Sequence, residues 1–133
     1  MRGKAVMTLP NILRLLAIGC FVPAVLHVAF GVAGDSLIGA PVPDGIDPSL
    51  DSQNRFYGAS FAIYGALLWY CARDLRGHGG LLKLVLALFF FGGCARGLSA
   101  LQYGLPSLPI LALWAVELIV PPLLLIWLGR RAR

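Results

Sequence analysis

Long apolar runs separated by short polar stretches set the pattern of this chain. Four runs, at residues 11–33, 54–73, 81–103 and 110–129, each have a length in the range of about 17–25 residues that carries a helix across a hydrocarbon core about 30 Å thick. Lipid offers the backbone no hydrogen-bond partners, so runs of this length are predicted to be helical, and four are too few for a closed barrel. The connections carry turn residues: 34–53, with Pro41, Pro43, Gly45 and Pro48, is predicted to be a long outer loop, and 74–80 and 104–109 are short. The expected fold is all-α, an integral membrane four-helix bundle, with residues 1–133 forming one transmembrane domain.

Composition agrees with this pattern. Hydrophobic residues make up 59% of the chain and charged residues 13%, against about 45–50% and about 25% in ordinary soluble domains. A cytosolic globule is thereby excluded, and the lipid bilayer becomes the first expected partner. Lys and Arg resist translocation, so their placement sets orientation. Arg2, Lys4 and Arg14 lie before or early in the first run, Arg73, Arg76 and Lys83 surround the second connection, and Arg130, Arg131 and Arg133 form the tail, all on one side. The other side has Arg55 among Asp35, Asp44, Asp47 and Asp51. The topology is therefore expected to be N-in/C-in, with both termini cytoplasmic. Tyr57, Tyr103 and Trp114 fall near the outer boundary and Trp69, Tyr70 and Trp127 near the inner one, where interfacial belts are expected.

The net charge of +5 does not call for nucleic acid, because the cations cap helices and do not cluster on a soluble face. The apolar run ending at Val32-Ala33-Gly34 is too long for a typical signal-peptide core and is expected to be retained. Cys20, Cys71 and Cys94 are odd in number and lie outside the outer loop, so they read as small packing residues and not as a disulfide framework. No ligand spacing suggests a metal, and no cofactor is expected. Ser60, in Gly58-Ala59-Ser60-Phe61-Ala62, lacks the final glycine and the strand turn of a nucleophile elbow and reads as packing.

Ionisable groups at membrane depth are the informative features, since each costs about 2.5–3.5 kcal/mol mid-helix on insertion scales and tends to be paired or functional. Arg96 and Glu117 qualify clearly, His27 more weakly, and Arg55 sits near the outer end of its run. At about 1.5 Å per residue, His27, Arg96 and Glu117 fall about 7 Å, about 6 Å and about 4 Å outward of the midplane, and Arg55 about 13 Å. One shared polar layer is therefore expected. Arg96 shares a helix side with Gly92, Gly93, Ser99, Ala100 and Tyr103, and Gly93-x-x-x-Gly97 is a close-packing motif, so Arg96 should point into the bundle. Arg55 lines up in the same way with Gly58, Ala59, Ala62, Gly65 and Ala66. Pro23, Pro121 and Pro122 each remove a helical donor, and the expected result is bends, free carbonyls and a cavity open toward the outer leaflet, with the 34–53 loop as its lid. The plain alternative is that Arg96 and Glu117 pair only to fix helix register, and that His27 needs only one partner.

At these residues the chain resembles a known family. Asn54-Arg55-Phe56-Tyr57-Gly58, Gly92-Gly93-x-Ala95-Arg96-x-x-Ser99, Gly104-x-Pro106, and Glu117 followed by Pro121-Pro122 resemble domain-of-unknown-function family 4345. That is a bacterial four-helix membrane family, similar to the broader DoxX-like group. The resemblance covers residues 50–129, with the first helix matching only in character. It implies a bacterial cytoplasmic (inner) membrane and a polar centre of Arg55, Arg96 and Glu117, and it implies no reaction. DoxX-like subunits beside redox enzymes suggest an accessory role by analogy.

Three functions follow from this reading. The first is a binding or accessory membrane protein whose outward-facing pocket holds an anionic or amphipathic small molecule, lipid- or quinone-like. Arg55, Arg96, Glu117, His27, Ser99, Tyr103, Asn54 and Tyr57 are its candidate contacts. The second is an enzyme acting on a lipid-soluble substrate, with Glu117 as catalytic general acid or base and Arg96 stabilising negative charge. The third is a scaffold whose small-residue faces recruit a membrane protein partner or a second copy in a homo-oligomer.

Overall fold

The computed structural model describes residues 8–131, and its elements are all helical: α1 (Leu9–Phe30), a 3-10 helix η1 (Gly31–Ile38), α2 (Pro48–Cys71), α3 (Gly79–Tyr103) and α4 (Leu108–Arg131). Arg2, Lys4 and Arg133, read above as part of the basic side, lie outside the described residues.

The helix ends follow capping chemistry more closely than polarity. The carboxylate of Asp47 accepts from the N–H of Leu50 at 3.0 Å, and Pro48 fits the first turn, where an N–H would have no helical partner. α2 therefore starts at Pro48 and not at residue 54. The stretch 34–53, expected as an outer loop, holds most of η1, a connector and the first turns of α2. Hydropathy marks where a helix can meet lipid, whereas the Asp-Pro pair marks where it begins. α1 ends at Phe30, short of residue 33, because Gly31 takes a left-handed φ of 57°. α3 and α4 begin at Gly79 and Leu108, just ahead of the expected 81 and 110.

α1 packs along α2 and α3 along α4, and the two hairpins meet chiefly where α2 adjoins α3. The apolar core lies at one end: Leu9, Leu13, Ala17 and Cys20 of α1, Leu68 and Cys71 of α2, Leu82, Val85 and Leu86 of α3, and Leu124 of α4. Cys20 and Cys71 pack there as expected of small apolar residues, whereas Cys94 lies exposed on α3. Small residues set the helix separations. A Cβ on Gly58 would stand 2.9 Å from His27 Cβ, and one on Gly65 2.7 Å from the Phe21 ring, so α1 crosses α2 at these glycines. On the other hairpin a Cβ on Gly93 would stand 2.9 Å from Leu118 Cδ2 and one on Gly97 3.4 Å from Trp114, which places the Gly93-x-x-x-Gly97 motif against α4.

Three segments, Leu9–Ile38, Gly79–Tyr103 and Leu108–Arg130, are long and apolar enough to cross a membrane. α2 is as long, but Asp51, Gln53, Asn54 and Arg55 lower the hydropathy of its first turns. α1 continues through Pro23, and α4 through Pro121 and Pro122. The space beside Pro121 is a void of about 10 Å³ walled by residues such as Leu16, Leu86 and Phe89. It is apolar and closed to a ligand, unlike the polar room expected from the prolines.

Candidate functional site

The close approach of α3 and α4 builds the first polar group. Trp114 lies against Gly97 and donates its indole N–H to the Gly93 carbonyl at 2.7 Å, fixing α4 one turn before Glu117. With Gly93 beneath the stem of Glu117, Arg96 Nε reaches Glu117 Oε2 at 2.8 Å. Glu117 is buried, 8% exposed, while the Arg96 side chain is 37% exposed. The guanidinium thus turns its Nε inward to the carboxylate. Among the described residues its two terminal nitrogens have no protein acceptor.

The second polar group belongs to the other hairpin. His27 of α1 meets Asp35 of η1, Nε2 to Oδ1, at 2.9 Å, and Asn54 Nδ2 of α2 donates to the other Asp35 oxygen at 3.1 Å. His27 Nδ1 and Asn54 Oδ1 are buried without a partner. One turn earlier on α2, Asp51 accepts from Arg55 Nε at 2.8 Å and from the Val32 N–H at 3.0 Å. Arg55 Nη1 donates to the Val28 carbonyl at 2.6 Å.

The single layer expected from depth is therefore two clusters, one on each hairpin, and no hydrogen bond or ion pair joins them among the described residues. Depth along a helix carries no information about rotation around the bundle. Arg96 and Glu117 are brought together. His27 and Asn54 meet at Asp35 instead, and Arg55 is committed to Asp51 and the end of α1. Tyr57 lies exposed and donates to Gln53 Oε1 at 3.3 Å. Ser99 and Tyr103 are exposed on α3, with Tyr103 86% accessible. Asp35 and Asp51 were legible only as acids of the outer loop. The i,i+4 spacing of Asp51 and Arg55 could have marked that pair, whereas nothing in the sequence ties Asp35 to His27. Among the described residues no group of three His, Cys, Asp or Glu side chains is placed to hold a metal.

Chemically, the Arg96 and Glu117 pair is neutral as a whole yet polarised. The carboxylate lies inward, and a fork of unused N–H donors lies at the accessible edge, suited to carboxylate or phosphate oxygens. No curated protein and no solved structure matches the chain. The model of one family, described as a domain of unknown function (DUF4345), matches residues 9–128 and so takes in all four long helices. A match of that extent makes the chain a member of the DUF4345 family.

Proposed function

We propose that this chain is a binding protein of a bacterial inner membrane that holds an anionic amphiphile through Arg96. All four helices cross the bilayer in this reading, with both termini cytoplasmic. Support for the fourth span comes from packing: α2 lies along α1, so a membrane that contains α1 also contains the apolar part of α2. Support for the orientation comes from Arg14, Arg73, Arg76, Lys83 and Arg130, which share the end of the bundle opposite η1.

One observation carries the binding reading: Arg96 spends only its Nε on Glu117 and leaves its terminal N–H groups without protein acceptors in an apolar span. Unmatched donors at membrane depth are costly, and an anionic headgroup would satisfy them while its chain lies along α3 and α4. Glu117 acts as the positioning residue that fixes the plane of the guanidinium.

Oleate is a suitable probe. Full-length protein in mild detergent should retain it by native mass spectrometry, and Arg96→Gln should weaken retention at least about tenfold, the loss of one charge-assisted hydrogen bond. Equal retention by wild type and Arg96→Gln would overturn the assignment.

A further inference from the structure

A groove of about 770 Å³ runs between α1 and α2 at the end opposite η1. Its α2 wall is Ile63, Ala66, Leu67 and Tyr70, which with Arg73 follow the three-and-four spacing of one helix face, and its α1 wall is Phe21. Gly65 lets the Phe21 ring seat directly against α2, which fixes the α1 wall of the groove. From Ile63 to Arg73 the groove extends about 15 Å at 1.5 Å per residue, which is half of a hydrocarbon core about 30 Å thick. It therefore matches the acyl region of one leaflet.

The end of the groove differs from its walls. Arg73 lines it, and its guanidinium makes no hydrogen bond or ion pair among the described residues. Arg14, Arg76, Lys83 and Arg130 are exposed at the same end of the bundle. The one acid there among the described residues, Asp74, is turned into its own loop, accepting from the N–H groups of Arg76 and Gly77 at 3.0 Å each. An apolar trough one leaflet long, ending at an unpaired cation within a basic rim, complements a phospholipid with an anionic headgroup.

We infer that this groove is a binding site for an anionic phospholipid, with one acyl chain along Ile63, Ala66 and Tyr70 and the phosphate at Arg73. The site is separate from Arg96 and does not depend on what Arg96 binds. The test uses the full chain in mixed micelles holding equal amounts of dioleoylphosphatidylglycerol and dioleoylphosphatidylcholine, with retained lipid counted by native mass spectrometry. Wild type should favour the anionic lipid by about fivefold or more, and Arg73→Gln should remove about fivefold of that preference. Ala66→Phe, at an exposed position that a larger ring would fill, should lower retention of both lipids. Repeating the Arg73→Gln comparison in an Arg96→Gln background reads the groove alone, so failure of the oleate assignment and failure of this one are distinguished. Equal retention of the two lipids, a preference that survives Arg73→Gln in the Arg96→Gln background, or displacement of the lipid by inorganic phosphate alone would each overturn the inference.

Discussion

Arg55 Nε lies 2.8 Å from Asp51 Oδ2, and these two side chains of α2 together replace a hydrogen bond that α1 gives up. In an uninterrupted helix the Val32 N–H would bond to the Val28 carbonyl. Gly31, at φ 57°, breaks that register. The Val32 N–H goes instead to Asp51 Oδ1 at 3.0 Å, and the Val28 carbonyl accepts from Arg55 at 2.6 Å. Both groups stranded by the break are thus satisfied from the neighbouring helix, which locks η1 to α2.

Gly31 is therefore expected to be intolerant of a side chain. Alanine there would hold a left-handed backbone, at about 1–2 kcal/mol, and its Cβ would overlap the Asp51 carboxylate. Gly31→Ala should lower stability by about 2 kcal/mol or more, read as an earlier loss of helicity on heating in detergent. A melt indistinguishable from wild type would show that the clamp does not form.

The Arg96 and Glu117 pair makes a sharper prediction because the two partners differ in burial. Removing Arg96 leaves a buried carboxylate without its counter-charge, at about 3–5 kcal/mol. Replacing both together, Arg96→Met with Glu117→Leu, removes the charges as well as their bond and should recover most of that loss. A double-mutant cycle on thermal stability checks this. Purely additive losses would mean that the two side chains do not interact.

The parts of this molecule that could be read in advance are those set by one helix at a time. Four long helices followed from apolar run length, and the close contact at Gly93 and Gly97 followed from their small-residue spacing, whereas Gly92, Ser99 and Tyr103, expected on the same inward face of α3, are exposed. The meeting of His27 with Asp35 did not follow, because it depends on α1 stopping at Gly31 and on an eight-residue 3-10 helix folding back, a length unusual for that geometry. That no bond joins the two polar clusters among the described residues likewise did not follow, since height along a helix does not encode which way each side chain turns.

Two adjacent glycines should behave oppositely. A Cβ on Gly93 would press to 2.9 Å from Leu118 Cδ2 and 3.2 Å from Glu117 Cβ, whereas one on Gly92 meets nothing within 4 Å. Gly93→Ala should destabilise by about 1–3 kcal/mol, since Leu118 and Glu117 must shift. Gly92→Ala should be neutral or stabilising by about 0.5–1 kcal/mol through helix propensity. Parallel chemical unfolding of both variants distinguishes them, and equal effects would place the contact face of α3 elsewhere.

The turn between α2 and α3 should give the chain an acid sensitivity that one substitution removes. Asp74 accepts hydrogen bonds from Gly77 and Arg76, and these donors, Gly77 foremost, hold its carboxyl below the ordinary value of 3.8. With the folded value lowered, the unfolded chain takes up the proton first as the solution is acidified. The stabilisation is therefore complete above pH 3.8 and is lost as pH falls through the folded value. Asn at this position keeps an acceptor for the turn but carries no charge, so Asp74→Asn should flatten the decline in thermal midpoint between about pH 4 and about pH 2, with a neutral-pH midpoint below wild type and an acid midpoint close to it. An identical acid profile in the two proteins would mean that protonation of this turn does not limit stability.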